Sequence, residues 1–215
     1  MFRRTLSLFA FAILVLPSTA RSQSAGARVG QRITVGPFVG MNYTSFYGDD
    51  AQDVNSRWDF NIGGRVDVGF GNGSFQTGLF YSGRGAAASD QGVDVKFKMR
   101  YIELPLLFGY RFPATGARPY VIGGGQVAFK TGCEFEGRSG GVTASFDCDD
   151  PNFGGDFSST DFGIVGGGGL IWPIGRNDLT FDLRYTLGLN NIEKDSDLKN
   201  RGFTFGVGLM IPLVR

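Results

Sequence analysis

The sequence predicts an all-β fold, an eight-stranded antiparallel up-and-down transmembrane β-barrel with short periplasmic turns and long extracellular loops. Three observations carry that expectation. Segments of about ten residues alternate apolar and polar side chains with a period of two. The links between them alternate strictly between long and short. Beyond an N-terminal leader, no apolar run is long enough to cross a bilayer as a helix, which leaves a closed barrel as the way to satisfy every backbone group in lipid.

The leader covers residues 1–22. Arg3 and Arg4 precede an apolar stretch from Leu6 to Leu16, and Pro17-Ser18-Thr19-Ala20 offers small residues for cleavage after Ala20 or after Ser22. A spanning helix needs about 20 apolar residues, so this stretch reads as a cleaved signal peptide and not as an anchor. A short N-terminal segment over 23–32 and one barrel domain over 33–215 follow. The composition agrees with an exported β protein. Among 215 residues there are 35 glycines and 21 phenylalanines, and aromatics this plentiful argue against disorder. A net charge of +1 gives no basic excess for nucleic acid, which is not expected as a partner. The chain contains no histidine, which removes the commonest acid/base group and zinc ligand together.

Trp58 to Phe70 is the clearest strand. Trp58, Phe60, Ile62, Val66, Val68 and Phe70 share one face with Gly64, and Asp59, Asn61, Gly63, Arg65, Asp67 and Gly69 share the other. Leu179 to Asn190 and Phe203 to Leu213 repeat the pattern. Ile33 to Tyr43 and Phe75 to Tyr81 are shorter or less regular. In Val93 to Phe112 the apolar parity switches from odd positions (Val93, Val95, Phe97, Met99) to even ones (Ile102, Leu104, Leu106, Phe108, Tyr110). A switch of face within a strand implies a β-bulge near Arg100-Tyr101. Pro119 to Lys130 and Thr160 to Trp172 are glycine-rich, and their facing stays open. The short links are Gly71 to Ser74, Pro113 to Arg118 and Pro173 to Asp178; the long ones are about 44–57, 83–92, 131–158 and 190–200.

The stretch Tyr101-Ile102-Glu103-Leu104-Pro105-Leu106-Leu107, continuing through Tyr110-Arg111-Phe112 into Arg118-Pro119-Tyr120-Val121-Ile122-Gly123-Gly124-Gly125, resembles the PorT-like family of outer-membrane β-barrel domains. Leu183-Arg184-Tyr185, Gly188 to Ile192 and Asn200-Arg201-Gly202-Phe203 resemble that family's final hairpin. The resemblance implies the outer membrane as location, with its lipid and the barrel-assembly machinery as partners. A role beside an envelope or secretion partner comes from the member that gives the family its name. The chain departs at its end, Leu213-Val214-Arg215, where such barrels commonly carry an aromatic residue.

If the apolar faces meet lipid, the polar faces point Asp59, Arg65, Asp67, Glu103, Arg111, Asp182 and Arg184 into the lumen. An eight-stranded barrel is just wide enough for side chains to fill it, so opposite charges there should pair. Threading the strands puts Arg65, Glu103 and Arg184 at similar heights, and suggests a network centred on Glu103 with Arg65 or Arg184 as partner. Its simplest role is a structural plug, and a proton or solute path competes with it.

Cys133 and Cys148 lie in the longest loop of an exported chain, placed symmetrically about Gly140-Gly141. They read as a disulfide closing a two-stranded extension above the membrane, with Phe135 opposite Phe146. The same register opposes Glu134 and Asp147, near Asp149, Asp150 and Asp156. This acidic surface reads as a solvated loop, with a hard divalent cation as the competing reading. The run Gly166 to Gly169 is no phosphate loop, since no Lys-Ser/Thr and no helix follow it. No catalytic residue, cofactor or metal is expected. The expected function is a non-enzymatic outer-membrane barrel that supports the envelope, presents surface loops or assists secretion or assembly. A soluble exported barrel holding an apolar ligand is the alternative, with a barrel enzyme or narrow pore behind it.

Overall fold

The computed structural model describes residues 32–51, 54–90, 93–148, 150, 157–194 and 196–213; the expected leader lies outside them. Nine strands form one antiparallel sheet: β1 (Arg32–Tyr47), β2 (Asn55–Phe70), β3 (Gly73–Asp90), β4 (Val93–Arg111), β5 (Arg118–Ser139), β6 (Val142–Asp147), β7 (Thr160–Ile174), β8 (Asn177–Gly188) and β9 (Lys199–Pro212). Each ring strand pairs with its chain neighbours, β5 pairs with β7, and β1 pairs with β9, so eight strands close into a barrel. β6 stands outside the ring and pairs with β5 alone. The described residues contain no helix.

The alternation dictates the facing. On β2, Trp58, Phe60, Ile62 and Phe70 are exposed on the outside, while Asn61, Arg65 and Asp67 are buried within. On β8, Phe181, Leu183 and Tyr185 point out and Thr180, Asp182 and Arg184 point in. β9 presents Phe203, Phe205, Val207, Leu209 and Ile211 outward. The two glycine-rich strands resolve the same way. Val121 and Phe129 of β5 face out with Phe162, Ile164, Leu170 and Trp172 of β7, while Tyr120, Ile122, Gln126, Asp161, Val165 and Ile171 face in. An apolar exterior around an interior that buries Arg65, Asp67, Arg84, Glu103, Asp161, Asp182 and Arg184 is the inverse of a soluble ligand-binding barrel, so that alternative does not fit the molecule.

The links of 71–72, 112–117 and 175–176 gather at one end with the start of β1 and the end of β9. Gly71 and Gly175 there hold positive φ of 59° and 61°, which lets two-residue turns match the strand twist. At the other end the strands run past the ring. A membrane-spanning strand takes about 9–11 residues, whereas β3, β4 and β5 have 18, 19 and 22.

This corrects the expectation of a long loop at 83–92. The β3–β4 ladder continues unbroken to Asp90 opposite Val93. Gly83 to Ala88 carry little hydrophobic contrast, so their alternation is silent in sequence, yet Ala86 and Ala88 sit opposite Phe97 and Val95. The outer parts of β3, β4 and β5 with β6 form a four-stranded sheet above the barrel mouth.

The parity switch in β4 has a different cause from the one expected. Phe97, Met99, Tyr101, Glu103, Pro105 and Leu107 all face inward, so β4 never changes face. The interior itself changes, from polar at mid-barrel to apolar at the mouth. A register shift does fall between Arg100 and Tyr101, but the extra residue is Thr131 on the partner strand. It is β5 that changes parity there, from the buried Ala128 to the buried Cys133.

Candidate functional site

Among the described residues, two ion-pair clusters lie in the middle of the lumen. In the first, β2 contributes Arg65 and Asp67, and β8 contributes Asp182 and Arg184. Arg65 Nη1 lies 2.9 Å from Asp182 and Nη2 lies 3.2 Å from Asp67, while Arg184 Nη2 lies 2.9 Å from the other Asp182 oxygen. Residues two apart on one strand share a face, which is why each strand supplies two charges at neighbouring heights. The cluster holds two cations and two anions. The Arg184 guanidinium also lies 5.1 Å from the Phe38 ring centre and 5.9 Å from that of Phe80, which pack edge to face. Phe38 is a large apolar side chain inside the polar barrel, and it fits because Gly206 leaves its place empty. A Cβ on Gly206 would overlap the Phe38 ring.

Glu103 belongs to a second cluster nearer the mouth. Its partner is Arg84 of β3 at 2.7 Å, and neither Arg65 nor Arg184 pairs with it. The same guanidinium holds Asp161 of β7 at 3.1 Å. Asn200 donates to Asp161 at 2.8 Å, and Asn61 donates to Glu103 at 3.4 Å. Asn42 donates to Ser82 Oγ and to the Gly83 carbonyl, both at 2.8 Å, and accepts from Thr204 at 2.8 Å. Among the described residues Arg84 is the cation paired with Glu103, and it falls in the stretch 83–92 expected as a loop. The extended β3 turns it into the barrel.

Two of the seven expected lumenal charges stand apart from both clusters. Asp59 lies where the β2–β3 register breaks between Ser56 and Asn61, and it pairs with Arg57 at 2.8 Å and Arg100 at 2.9 Å. Arg100 in turn lies over the outward-facing Phe60 ring. Arg111 sits near the short-turn end, its guanidinium against Gly69, where a Cβ would come within 2.7 Å of Nη1. Asp178 at that end pairs with Arg32 at 2.9 Å and Arg118 at 3.4 Å.

Above the second cluster the interior becomes an apolar cap. Phe46, Phe97, Met99, Tyr101, Ile192 and the two cysteines pack together with Ala86 and Ala128. Phe97 meets Phe46 and Phe157 with ring centres 5.5 Å apart, and Phe135 at 4.5 Å. Cys133 and Cys148 are joined by a disulfide, and Cys148 is fully buried in the cap. Beneath the cap is a cavity of about 10 Å³ lined by Asn42, Thr44, Arg84, Thr186, Arg201, Gly202 and Thr204, room for roughly one water.

The sheet above the cap is two-faced. Phe97, Phe135 and Phe146 align across β4, β5 and β6 on the inward face. Lys96 and Lys98 line the other face with Glu134 and Glu136, Lys96 to Glu136 and Lys98 to Glu134 both at 3.3 Å, and Lys98 also meets Glu136. Hydrogen bonds from Lys98 and then Lys96 hold the Glu136 carboxyl below the usual carboxylate range. Glu134 opposes Asp147 across β5 and β6. Among the described residues no group of three or more Asp, Glu, Cys or His side chains converges as a metal site. Asp149 and Asp156 lie outside the described residues.

Distant likenesses accompany this geometry. Neisserial surface protein A is 14% identical, with 83% of this chain and 96% of that one covered at a TM-score of 0.49. Ail, the attachment invasion locus protein of Yersinia pestis, is 15% identical over 83% of this chain and 98% of its own, with a TM-score of 0.41. Ail in complex with the heparin analogue sucrose octasulfate gives 14% identity, 85% and 100% coverage and a TM-score of 0.43. No curated protein matches the chain in sequence. The family described as the outer membrane protein β-barrel domain matches residues 21–194. With its ring of eight strands and apolar exterior, the chain belongs to the outer membrane protein β-barrel domain family and resides in the outer membrane.

Proposed function

We propose that the protein is a sealed, non-enzymatic barrel that displays the β3–β6 sheet outside the cell, as a surface element or beside a secretion or assembly partner. The observation that carries this reading is the apolar cap. It fills the outer mouth with buried Phe46, Phe97, Met99 and the Cys133–Cys148 bond, and above it stands a sheet longer than any membrane requires. In the lumen below, the ionised groups of the two clusters are engaged by each other. Covalent or acid/base catalysis needs a nucleophile beside a base with space for a substrate, and the cavity beside Arg84 has room for about one water.

The reading extends to a finer placement. Within Tyr101 to Leu107, Tyr101, Glu103, Pro105 and Leu107 fill the interior, while Ile102 and Leu106 are exposed toward lipid. A stretch that serves both environments at once supports membership of the PorT-like branch. Residues 1–22 act as the cleaved leader in this account. The barrel-assembly machinery and outer-membrane lipid are the partners it requires.

An epitope inserted between Gly140 and Gly141 tests the display. Both residues are exposed at the β5–β6 tip and hold positive φ. Intact cells should bind an antibody to the epitope. Binding only after the envelope is permeabilised would overturn the reading.

A further inference from the structure

On the outside of the ring, a shallow, open apolar groove crosses β7, β8 and β9, lined by Phe203, Tyr185, Leu183, Gly166, Gly168 and Leu170; similar ones lie beside Trp58 and Phe205 and beside Leu79 and Leu104, and this one is set apart by the cation at its outer end. The barrel does not need the groove to be empty. A Cβ on Gly166 would meet nothing within 4 Å, so the position has room for a side chain, and glycine there keeps the groove open.

Arg201 stands at the outer end of this groove. It lies two residues before Phe203 on the same outward face of β9, about 7 Å along the strand. The lateral register runs from Phe203 to Tyr185 and from Tyr185 to Gly166, so Arg201 stands one outward-facing step above the groove's mouth. Its guanidinium lies 6.0 Å from the ring centre of Tyr47, whose hydroxyl donates to the Gly188 carbonyl at 2.5 Å and so bridges β9. Arg201 has no carboxylate within ion-pair distance among the described residues. Arg57, Arg100 and Arg118 all have one.

We propose that this groove holds an acyl chain of a phosphorylated lipid of the outer leaflet, with Arg201 binding the phosphate. An arginine fork matches a phosphate group in geometry and charge. Tyr43, Trp58, Tyr185 and Phe203 form an aromatic belt just below Arg201, the level at which headgroups begin. The occupant has to bring an anion. A second copy of the barrel would bring none, because the outward faces of the eight ring strands between the aromatic belts carry no carboxylate.

The test uses the folded full-length protein, stripped of lipid in a maltoside detergent and titrated with phosphatidic acid or with phosphatidylcholine of the same chains. Native mass spectrometry counts the lipids retained. The wild type should keep one phosphatidic acid in preference to phosphatidylcholine. Arg201→Gln should lower that preference about fivefold, the effect of one surface cation on an anionic lipid. Gly166→Leu should weaken retention of both lipids by filling the groove. Arg138→Gln, which removes the same charge from the exposed end of β5, should change neither. Unchanged preference in Arg201→Gln, unchanged retention in folded Gly166→Leu, or equal losses in Arg138→Gln and Arg201→Gln would each overturn the proposal. Should Gly166→Leu fail to fold, as judged by unboiled gel mobility, the arginine pair decides alone.

Discussion

Arg84 is the cation for two buried carboxylates, Glu103 at 2.7 Å and Asp161 at 3.1 Å. Removing one member of a buried pair strands the charge left behind, which costs about 3–5 kcal/mol. Arg84→Ala is therefore expected to lower the unfolding free energy by about that amount in urea titrations of the vesicle-inserted barrel. Arg57→Ala should cost less than about 1 kcal/mol, because Arg100 still pairs with Asp59 and the site is nearer solvent. The sequence showed which side chains enter the barrel wherever polar and apolar positions alternate sharply, as at Arg65, Asp182 and Arg184. It did not show who pairs with whom, because pairing depends on strand tilt and on how far each strand extends. Arg84 was lost for that reason, and Phe38 because its room comes from Gly206 on a strand distant in sequence.

At the scale of elements, the β5–β6 hairpin owes its order to three things: the disulfide, the aromatic row and the lysine–glutamate ladder. The cystine spans 15 residues, a loop whose closure in the unfolded chain is worth about 3 kcal/mol. Replacing both cysteines by serine should expose the hairpin to proteolysis near Gly140 while the ring keeps its unboiled gel mobility. Loss of the ring itself would show that the cap supports the barrel. The ladder adds a pH dependence. Glu136 titrates lower in the folded hairpin than in the unfolded chain. Its contribution is present above the unfolded carboxylate range and is lost as pH falls through the folded value. The protection factors of the Lys96, Lys98 and Glu136 amides, each taken against the intrinsic exchange rate at the same pH, should therefore fall slightly as pH drops below the usual carboxylate range, the pair being solvated. The hairpin was legible because Cys133, Phe135, Phe146 and Cys148 mirror one another. The β3–β4 extension was not, because alanines and glycines fit either environment and β4's apolar positions follow a change of interior.

For the whole molecule, the exterior apolar belt is what makes the ring a membrane protein. Val207 lies mid-strand on β9, between Val39 of β1 and Phe181 of β8. An arginine on the lipid face costs about 2–4 kcal/mol at the bilayer centre and about 0–1 kcal/mol near the interface. Val207→Arg should fall in the first range and Phe203→Arg in the second when both are unfolded from the same vesicles. Equal costs at the two depths would mean the belt does not sit in the bilayer. Architecture was the most legible property of the sequence, since the alternation of loop lengths and the split faces of β2, β8 and β9 both follow from having lipid on one side. A lumen filled by side chains was legible from the strand number, whereas the apolar cap was not, because it is assembled from β1, β3, β4, β5 and the β8–β9 link.

That closure is the central claim, and the conductance of the folded barrel in a planar bilayer tests it most directly. With the cap packed around the Cys133–Cys148 bond and two ion-pair clusters beneath it, insertion should raise no conductance steps above the bare bilayer. Discrete, reproducible open steps from the oxidised protein would contradict the sealed barrel.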